Sequence, residues 1–249
     1  FSPLYKGPLS GQIETTTNKQ RIYSLTKQYM DFEPAQEAFV LKSFSAHRVC
    51  YFLLCGLFAL LPLACSRQPQ LPPLASDAVI LAFGDSLTFG TGAGDAQSYP
   101  EMLAGLTGRK VVNAGVPGEI SKDGLERLPG VLEEVQPDLL ILCHGGNDML
   151  RRQGQQQLRA NLAGMLQLAR DQGIAVVLVA VPEPGLALKP PALYEELAKE
   201  FAFPLEKKTI ISILKKSELK SDQVHPNAAG YQRMAESFAD LLRKSGALP

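Results

Sequence analysis

The sequence predicts an α/β fold in which a parallel sheet lies between two layers of helices. Short runs that are nearly continuous in Val, Ile and Leu alternate along residues 77–249 with segments of helical periodicity. Alternation of this kind is typical of parallel strands joined by crossover helices, and unbroken apolar runs are typical of strands covered on both faces. The predicted strands occupy residues 78–83, 110–113, 138–143 and 174–181.

Helical segments lie between and after these strands. The first opens on Ser98 and Glu101 at the spacing of a capping box, and the third stops at Gly173. A break is expected at Pro129, because proline lacks the N–H that continues a helix. The third segment carries one apolar face, made of Leu158, Leu162, Met165, Leu166 and Ala169. The predicted helices cover residues 98–106, 125–136, 155–172, 191–201 and 227–244.

Three segments precede the predicted domain. Residues 1–39 are polar and aperiodic, and are expected to be poorly structured or to be an extension of the gene model. Residues 40–65 are typical of an export signal, because basic residues precede an uncharged apolar run that is short for a membrane span. Residues 66–76 are rich in proline and are expected to form an extended linker.

The end of the export signal carries a further feature. The stretch Leu61-Pro62-Leu63-Ala64-Cys65 resembles a bacterial lipoprotein signal, in which the cysteine is lipidated and becomes the mature N-terminus. Pro62 and Leu63 depart from the usual pattern, so a plain secretory signal and an uncleaved N-terminal anchor are the alternatives. We expect an exported protein of the periplasm or cell envelope, tethered to the membrane through a lipid on Cys65.

Composition argues against several functional classes. The formal net charge is zero and no basic patch is present, so a nucleic-acid partner is not expected. The four cysteines, Cys50, Cys55, Cys65 and Cys143, include no Cys-x-x-Cys pair, which argues against a disulfide scaffold or a zinc site. Cys143 lies in an apolar strand and is expected to be a small buried hydrophobic residue.

Polar and glycine-rich loops follow the first three predicted strands. Because the carboxyl ends of parallel strands meet at one edge of a sheet, these loops are expected to converge. Ser86 in the first loop is a candidate nucleophile, although a serine needs a base to take its proton. The three loops contain Gly84 to Ser86, residues 113–119 and residues 144–148.

His225 is the candidate base. His47 lies in the signal region, and His144 lies between a buried strand and a glycine turn, where a structural or pocket-lining role is expected. Asp222, three residues before His225, is placed to accept a hydrogen bond from the imidazole and so to fix its tautomer. Ser86, Asp222 and His225 therefore form the predicted catalytic set.

A tetrahedral intermediate also needs hydrogen-bond donors placed in advance. The backbone N–H of Gly118 and the side-chain amide of Asn147 are suitable, and the N–H of Ser86 is a third donor. These three groups are the predicted oxyanion hole.

The motifs resemble those of the SGNH/GDSL hydrolases. Four blocks stand in that family's order along nearly the whole of residues 77–249: Gly84-Asp85-Ser86-Leu87, Gly118, Gly145-x-Asn147-Asp148 and Asp222-x-x-His225. The stretches Val-Val-Asn-Ala, Gly-Gly-Asn-Asp and Leu-Ala-Lys-Glu-Phe are similar to those of bacterial multifunctional esterases of the arylesterase, acyl-thioesterase and lysophospholipase group.

This resemblance implies a flavodoxin-like parallel sheet and a serine esterase. It implies Ser86 as nucleophile, His225 as base and then acid, and Asp222 as the residue that orients it. The implied substrate is a small-molecule or lipid carboxylic ester or thioester, cleaved through an acyl-enzyme, with no metal or cofactor.

Two alternatives to this function remain at the level of the sequence. Relatives with the same blocks deacetylate polysaccharides, so an acetylated cell-wall sugar is a second candidate substrate. A non-catalytic envelope binding module on the same scaffold is a third hypothesis.

Local roles are expected for Asp85, which caps its turn, and Asp148, which braces its loop. The glycine-rich residues 90–94 lack the dinucleotide-binding spacing and are expected to form a flexible loop.

Overall fold

A computed structural model describes residues 69–185 and 187–249. The five strands are β1 Val79–Gly84, β2 Lys110–Gly115, β3 Leu139–Cys143, β4 Ala175–Val179 and β5 Leu205–Glu206. The helices are α1 Ser86–Phe89, α2 Tyr99–Thr107, α3 Ser121–Val135, α4 Gly146–Leu150, α5 Gln155–Asp171, α6 Leu193–Phe201, α7 Thr209–Leu214 and α8 Ala228–Lys244, with a 3₁₀ turn at Ser217–Leu219 before α8.

All strand pairs in the sheet are parallel, and the strand order is β2-β1-β3-β4-β5. This is the flavodoxin-like order of a doubly wound sheet, so the predicted fold class is confirmed. The register places Gly84 at the end of β1 opposite both Gly115 of β2 and Cys143 of β3. The loops that follow these three strands therefore leave the sheet at the same level, as predicted.

The central strands form the core of the domain. Every residue of β3 and β4 is buried, as are all residues of β1 after Val79. Strand β2 differs from the prediction, because it is an edge strand and its residues are exposed or only half-buried. It pairs with β1 alone and packs chiefly against α1 and α2.

The apolar face predicted for the third helical segment is confirmed in α5. The described buried positions of this helix include all five predicted residues, Leu158, Leu162, Met165, Leu166 and Ala169. Helix α8 is capped by Asn227, whose side chain accepts a hydrogen bond from the N–H of Gly230. Ser98 is the N-cap residue of α2 and Pro100 lies in its first turn, as predicted, but the side-chain bond of a capping box is absent. The Ser98 hydroxyl instead accepts a hydrogen bond from Asn113 Nδ2.

The break predicted at Pro129 is also wrong. Helix α3 begins at Ser121, earlier than predicted, and continues through Pro129 to Val135. Its first turn is held by Asp148, whose carboxylate accepts hydrogen bonds from the N–H and the hydroxyl of Ser121. Buried leucines on either side of the proline, Leu128 and Leu132, pack into the core and offset the loss of one backbone hydrogen bond.

The predicted linker contributes to the folded domain over its described part. Leu71 and Leu74 are buried, and their N–H groups donate to the carbonyl oxygens of Ser245 and Ala247 at 2.8 and 2.9 Å. The predicted segments 1–39 and 40–65, including Cys65, lie outside the described residues. Within residues 69–185 and 187–249, the helices are too short or too polar to cross a bilayer.

Candidate active site

Ser86 is presented by a tight turn at the carboxyl end of β1. Asp85 caps α1, because its Oδ1 accepts a hydrogen bond from the N–H of Leu87 at 3.0 Å, as predicted. The turn requires glycine at position 84, since a Cβ there would lie 2.0 Å from the carbonyl oxygen of Cys143. Asp85 is almost fully buried, and this burial raises the pKa of its carboxyl group above the ordinary value.

Ser86, His225 and Asp222 form a continuous chain of hydrogen bonds. Ser86 Oγ lies 3.0 Å from His225 Nε2, and His225 Nδ1 lies 2.7 Å from Asp222 Oδ2. The other oxygen of Asp222 accepts from the N–H groups of Val224 and His225, both at 2.8 Å. Partial burial raises the pKa of Asp222, but these hydrogen bonds outweigh it and lower the pKa below its ordinary value. The carboxylate is therefore ionised and orients the imidazole ring.

Two of the predicted oxyanion donors, Ser86 and Asn147, line one pocket, and Asn147 is bonded to Glu119, the residue after Gly118. In the described part of the chain, the N–H groups of Ser86 and Gly118 have no hydrogen-bond acceptor, so both are available to a ligand. Gly118 has a φ of +81°, a conformation that other residues rarely adopt. Asn147 Nδ2 donates to the carbonyl oxygen of Glu119 at 3.0 Å and lies 3.4 Å from Asp85 Oδ2. The contact with Asp85 is long for a hydrogen bond, so the second N–H of the Asn147 amide is free to turn towards a ligand.

His144 has the structural position that was predicted. Its ring is fully buried, with Nε2 3.1 Å from Glu119 Oε2, and its carbonyl oxygen accepts a hydrogen bond from the hydroxyl of Tyr194 at 2.8 Å. Asp148 differs from the prediction: the hydrogen bonds of its carboxylate go to Ser121, at the start of α3, and not to its own loop. Cys143 is buried and unpaired in β3, as predicted.

Sequence reasoning missed three side chains behind and beside the oxyanion donors. Glu119 follows Gly118 directly, and Arg127 on α3 makes two hydrogen bonds to its carboxylate. Arg151 Nη2 donates to the carbonyl oxygen of Gly118 at 2.8 Å from the exposed side of the loop. Glu119 precedes α3 and Arg127 lies on it, and nothing in the sequence shows that both side chains point inwards.

A pocket opens beside Ser86. Its enclosed volume is about 90 Å³. Its apolar wall is made of Leu87, Leu150, Val181, Pro182, Pro184, Leu188, Ile210 and Leu214. A neighbouring cleft of about 450 Å³ shares Leu150 and Pro184 with it. Among the described residues, no cluster of His, Cys, Asp and Glu has the arrangement of a metal site.

A doubly wound α/β domain with a serine, a histidine and an aspartate linked at the sheet edge defines a hydrolase of the serine type. The profile of the GDSL-like lipase/acylhydrolase family matches residues 82–233. The chain belongs to this family and is a carboxylic ester hydrolase.

Relatives and solved structures agree with this membership. Esterase TesA of Pseudomonas aeruginosa is 31% identical over 201 residues, which cover 74% of this chain and 98% of that protein. Thioesterase 1/protease 1/lysophospholipase L1 of Escherichia coli is 31% identical over 172 residues, which cover 66% of this chain and 83% of that protein. A crystal structure of TesA, 29% identical, matches with a TM-score of 0.61 over 67% of this chain and 99% of its own length.

Proposed function

We propose that Ser86 is the nucleophile of a two-step esterase. The observation that carries this proposal is the chain of hydrogen bonds from Ser86 Oγ to His225 Nε2 at 3.0 Å and from His225 Nδ1 to Asp222 Oδ2 at 2.7 Å. Because the ring donates from Nδ1 to a carboxylate, Nε2 is the nitrogen that accepts a proton, and it faces the serine.

In the first step, Ser86 Oγ bonds to the acyl carbon and its proton moves to His225 Nε2. The carbonyl oxygen becomes an oxyanion, which takes hydrogen bonds from the N–H groups of Ser86 and Gly118 and from Asn147 Nδ2. His225 then returns the proton to the leaving alcohol or thiol as its bond to the acyl carbon breaks. In the second step, water bonds to the acyl carbon and gives a proton to His225 Nε2. The bond from the acyl carbon to Ser86 Oγ then breaks, His225 returns the proton to Ser86 Oγ, and the carboxylic acid leaves.

The substrates we propose are short and medium acyl esters, aryl esters, thioesters and lysophospholipids. The apolar wall of the pocket suits an acyl chain, and its enclosed volume of about 90 Å³ suits a short one. A longer chain would pass Leu150 and Pro184 into the neighbouring cleft. The names of the relatives, which include an esterase, a thioesterase and a lysophospholipase, support this range.

The proposal is tested with Ser86→Ala and a fluorophosphonate probe. We expect the wild-type protein to be labelled and to hydrolyse p-nitrophenyl esters, and the variant to fold, to escape labelling and to be inactive. Activity of the variant above the uncatalysed rate would overturn the assignment of Ser86. A folded wild-type protein that is neither labelled nor active would instead indicate the binding module.

The substrate range is tested with p-nitrophenyl and CoA esters of increasing acyl length, compared with acetyl-xylan and peptidoglycan. We expect acyl esters to be cleaved faster than the polysaccharides release acetate. The opposite order would favour the cell-wall deacetylase.

We also propose that the protein is exported and held in the cell envelope by a lipid on Cys65. The support is the uncharged apolar run at residues 49–64, which follows basic residues and ends in a cysteine. Mass spectrometry of the mature N-terminus is the test. A lipidated Cys65 is the expected result, and an unmodified Cys65 would leave a secretory signal or an uncleaved anchor.

A further inference from the structure

A hydrogen-bonded cluster of Glu119, Arg127 and His144 adjoins the predicted oxyanion hole. The carboxylate of Glu119, only 6% exposed, accepts hydrogen bonds from Arg127 Nε at 2.7 Å and from Arg127 Nη2 at 2.8 Å. His144 Nε2 lies 3.1 Å from Glu119 Oε2. Because His144 Nδ1 accepts a hydrogen bond from the N–H of Gly145, a neutral ring carries its proton on Nε2 and donates it to Glu119.

The main chain of Glu119 connects this cluster to both loops of the hole. Its carbonyl oxygen accepts the hydrogen bond from Asn147 Nδ2 at 3.0 Å. Its N–H donates to the carbonyl oxygen of Val116 at 3.1 Å and closes the turn that carries Gly118. Glu119 thus bonds to Arg127 and His144 through its side chain and to the Asn147 amide through its main chain. It also directly follows Gly118, whose N–H is the other donor.

The surrounding helix is adapted to admit this cluster. A Cβ at Gly124, in the interior of α3, would lie 2.6 Å from His144 Nε2 and 3.2 Å from Glu119 Oε2. Glycine is unfavourable in a helix interior. Its presence here costs some helix stability, and it leaves the space that the side chains of Glu119 and His144 occupy. The guanidinium of Arg127 lies over the ring of Phe83 at 4.1 Å, three residues before Ser86 on β1. The cluster therefore contacts β1, α3 and the two segments that carry Gly118 and Asn147.

The carboxyl group of Glu119 remains charged in this setting. Burial raises its pKa, but the hydrogen bonds from His144 and Arg127 outweigh burial and hold the pKa below its ordinary value. A buried carboxylate with two charged or polar partners is geometrically demanding, since each bond must be satisfied for burial to be tolerated.

We propose that Glu119, fixed by Arg127 and His144, is a positioning residue that sets the spacing between the Gly118 N–H and the Asn147 amide. This inference rests on the proposed function of those two groups as oxyanion donors. Glu119 does not touch the substrate, and it acts through the two donors. Its loss should weaken binding of the transition state while binding of the ground-state ester is retained.

The test compares Glu119→Gln with Glu126→Gln in the full chain. Gln has the size of Glu but lacks the charge that holds both partners. Glu126 is a matched control, because it lies on α3 with an exposed ion pair to Lys122 and is 69% exposed. Removing one oxyanion donor lowers kcat about 10²- to 10³-fold, so displacement of two donors is expected to lower kcat at least tenfold.

The readouts separate positioning from a general loss of structure. For Glu119→Gln we expect kcat on a p-nitrophenyl ester to fall at least tenfold while KM changes less than twofold. The inhibition constant of a trifluoromethyl ketone, whose adduct with Ser86 carries an oxyanion, should rise in proportion to the loss of kcat/KM. Glu126→Gln should match the wild type in all three values. Should Glu119→Gln fail to fold, Arg127→Lys replaces it, because it retains the charge but loses one of the two bonds to Glu119; a smaller fall in kcat at constant KM is expected.

Two results would overturn the inference. In the first, the folded Glu119→Gln or Arg127→Lys protein has a kcat within twofold of the control. In the second, kcat falls but the inhibition constant of the ketone is unchanged. A wild-type protein that is labelled at Ser86 and active would in that case leave the proposed function in place. Inactive wild-type protein would overturn the proposed function and this inference together.

Discussion

Replacing Asp222 by Asn and by Ala should produce two different losses of activity. In Asp222→Asn the amide oxygen can still accept from the N–H groups of Val224 and His225, so the local turn is retained. The amide nitrogen then faces His225 Nδ1 as a donor, so Nδ1 must accept and the ring proton moves to Nε2. A protonated Nε2 cannot take the proton of Ser86. In Asp222→Ala the partner is simply absent and either tautomer is allowed.

The magnitude follows from the exposure of the pair. The Asp222 side chain is 53% exposed, so its attraction for the imidazolium that forms in the transition state is screened by water. At about 4 Å that attraction is worth roughly 1 kcal/mol in water and roughly 4 kcal/mol near a protein surface. Asp222→Ala should therefore lower kcat/KM about 5- to 1,000-fold. Asp222→Asn adds the wrong tautomer, and a loss of up to about 10⁴-fold is expected.

The assay is kcat/KM on p-nitrophenyl butyrate, with Asp240→Asn as the control. Asp240 pairs with Arg243 near the exposed end of α8, and its variant should stay within twofold of the wild type. The reasoning is refuted if Asp222→Asn keeps more than half of the wild-type activity, or if Asp222→Ala is clearly the less active of the two. Either result would mean that Asp222 does not set the tautomer of His225.

Further predictions concern stability, specificity and pH. Gly124→Ala should lower the free energy of unfolding, because its Cβ would lie 2.6 Å from His144 Nε2. Gly130→Ala in the same helix, where the added Cβ has no atom within 4 Å, should raise the free energy of unfolding by up to about 1 kcal/mol. Urea unfolding measures both changes, and equal effects would contradict the crowding at Gly124. Leu150 lines the pocket and is 51% exposed, and Leu150→Ser should lower kcat/KM for octanoyl esters up to about tenfold while acetyl esters stay within twofold. The limit arises because a half-exposed leucine contributes about 1.5 kcal/mol at most. A uniform loss over all chain lengths would argue against an acyl contact. The lowered pKa of Glu119 stabilises the fold at pH values above the ordinary pKa of 4.5, and this stabilisation is lost as the pH falls through the lowered pKa. The difference in unfolding free energy between the wild type and Glu119→Gln should therefore be largest above about pH 5 and shrink in acid. A difference that grows in acid would contradict this sign.

Several errors of sequence reasoning have one physical cause. Pro129 was expected to break α3, and the Ser98 side chain was expected to form a capping box on α2. Contacts with distant parts of the chain decided both outcomes: Leu128 and Leu132 pack into the core on α3, and Asn113 donates to the hydroxyl of Ser98. Helix propensity and capping patterns are local, and tertiary contacts override them.

The sequence by itself determined the alternation of strands and helices and the identity of the groups linked at the active site. Unbroken apolar runs and one-sided helical faces are properties of neighbouring residues, and the parallel sheet then requires its strand-end loops to share an edge. Ser86 and His225 are 139 positions apart, yet the chemistry of each was readable in its own short motif.

Tertiary structure alone decided how the predicted oxyanion hole is supported. Glu119 reads in the sequence as one more polar residue of a loop, and Arg127 as one more charge on a helix. Their pairing with each other and with His144 depends on which way each side chain points once α3 packs against the sheet. That direction is set by packing and burial across the whole domain, and no local pattern of residues encodes it.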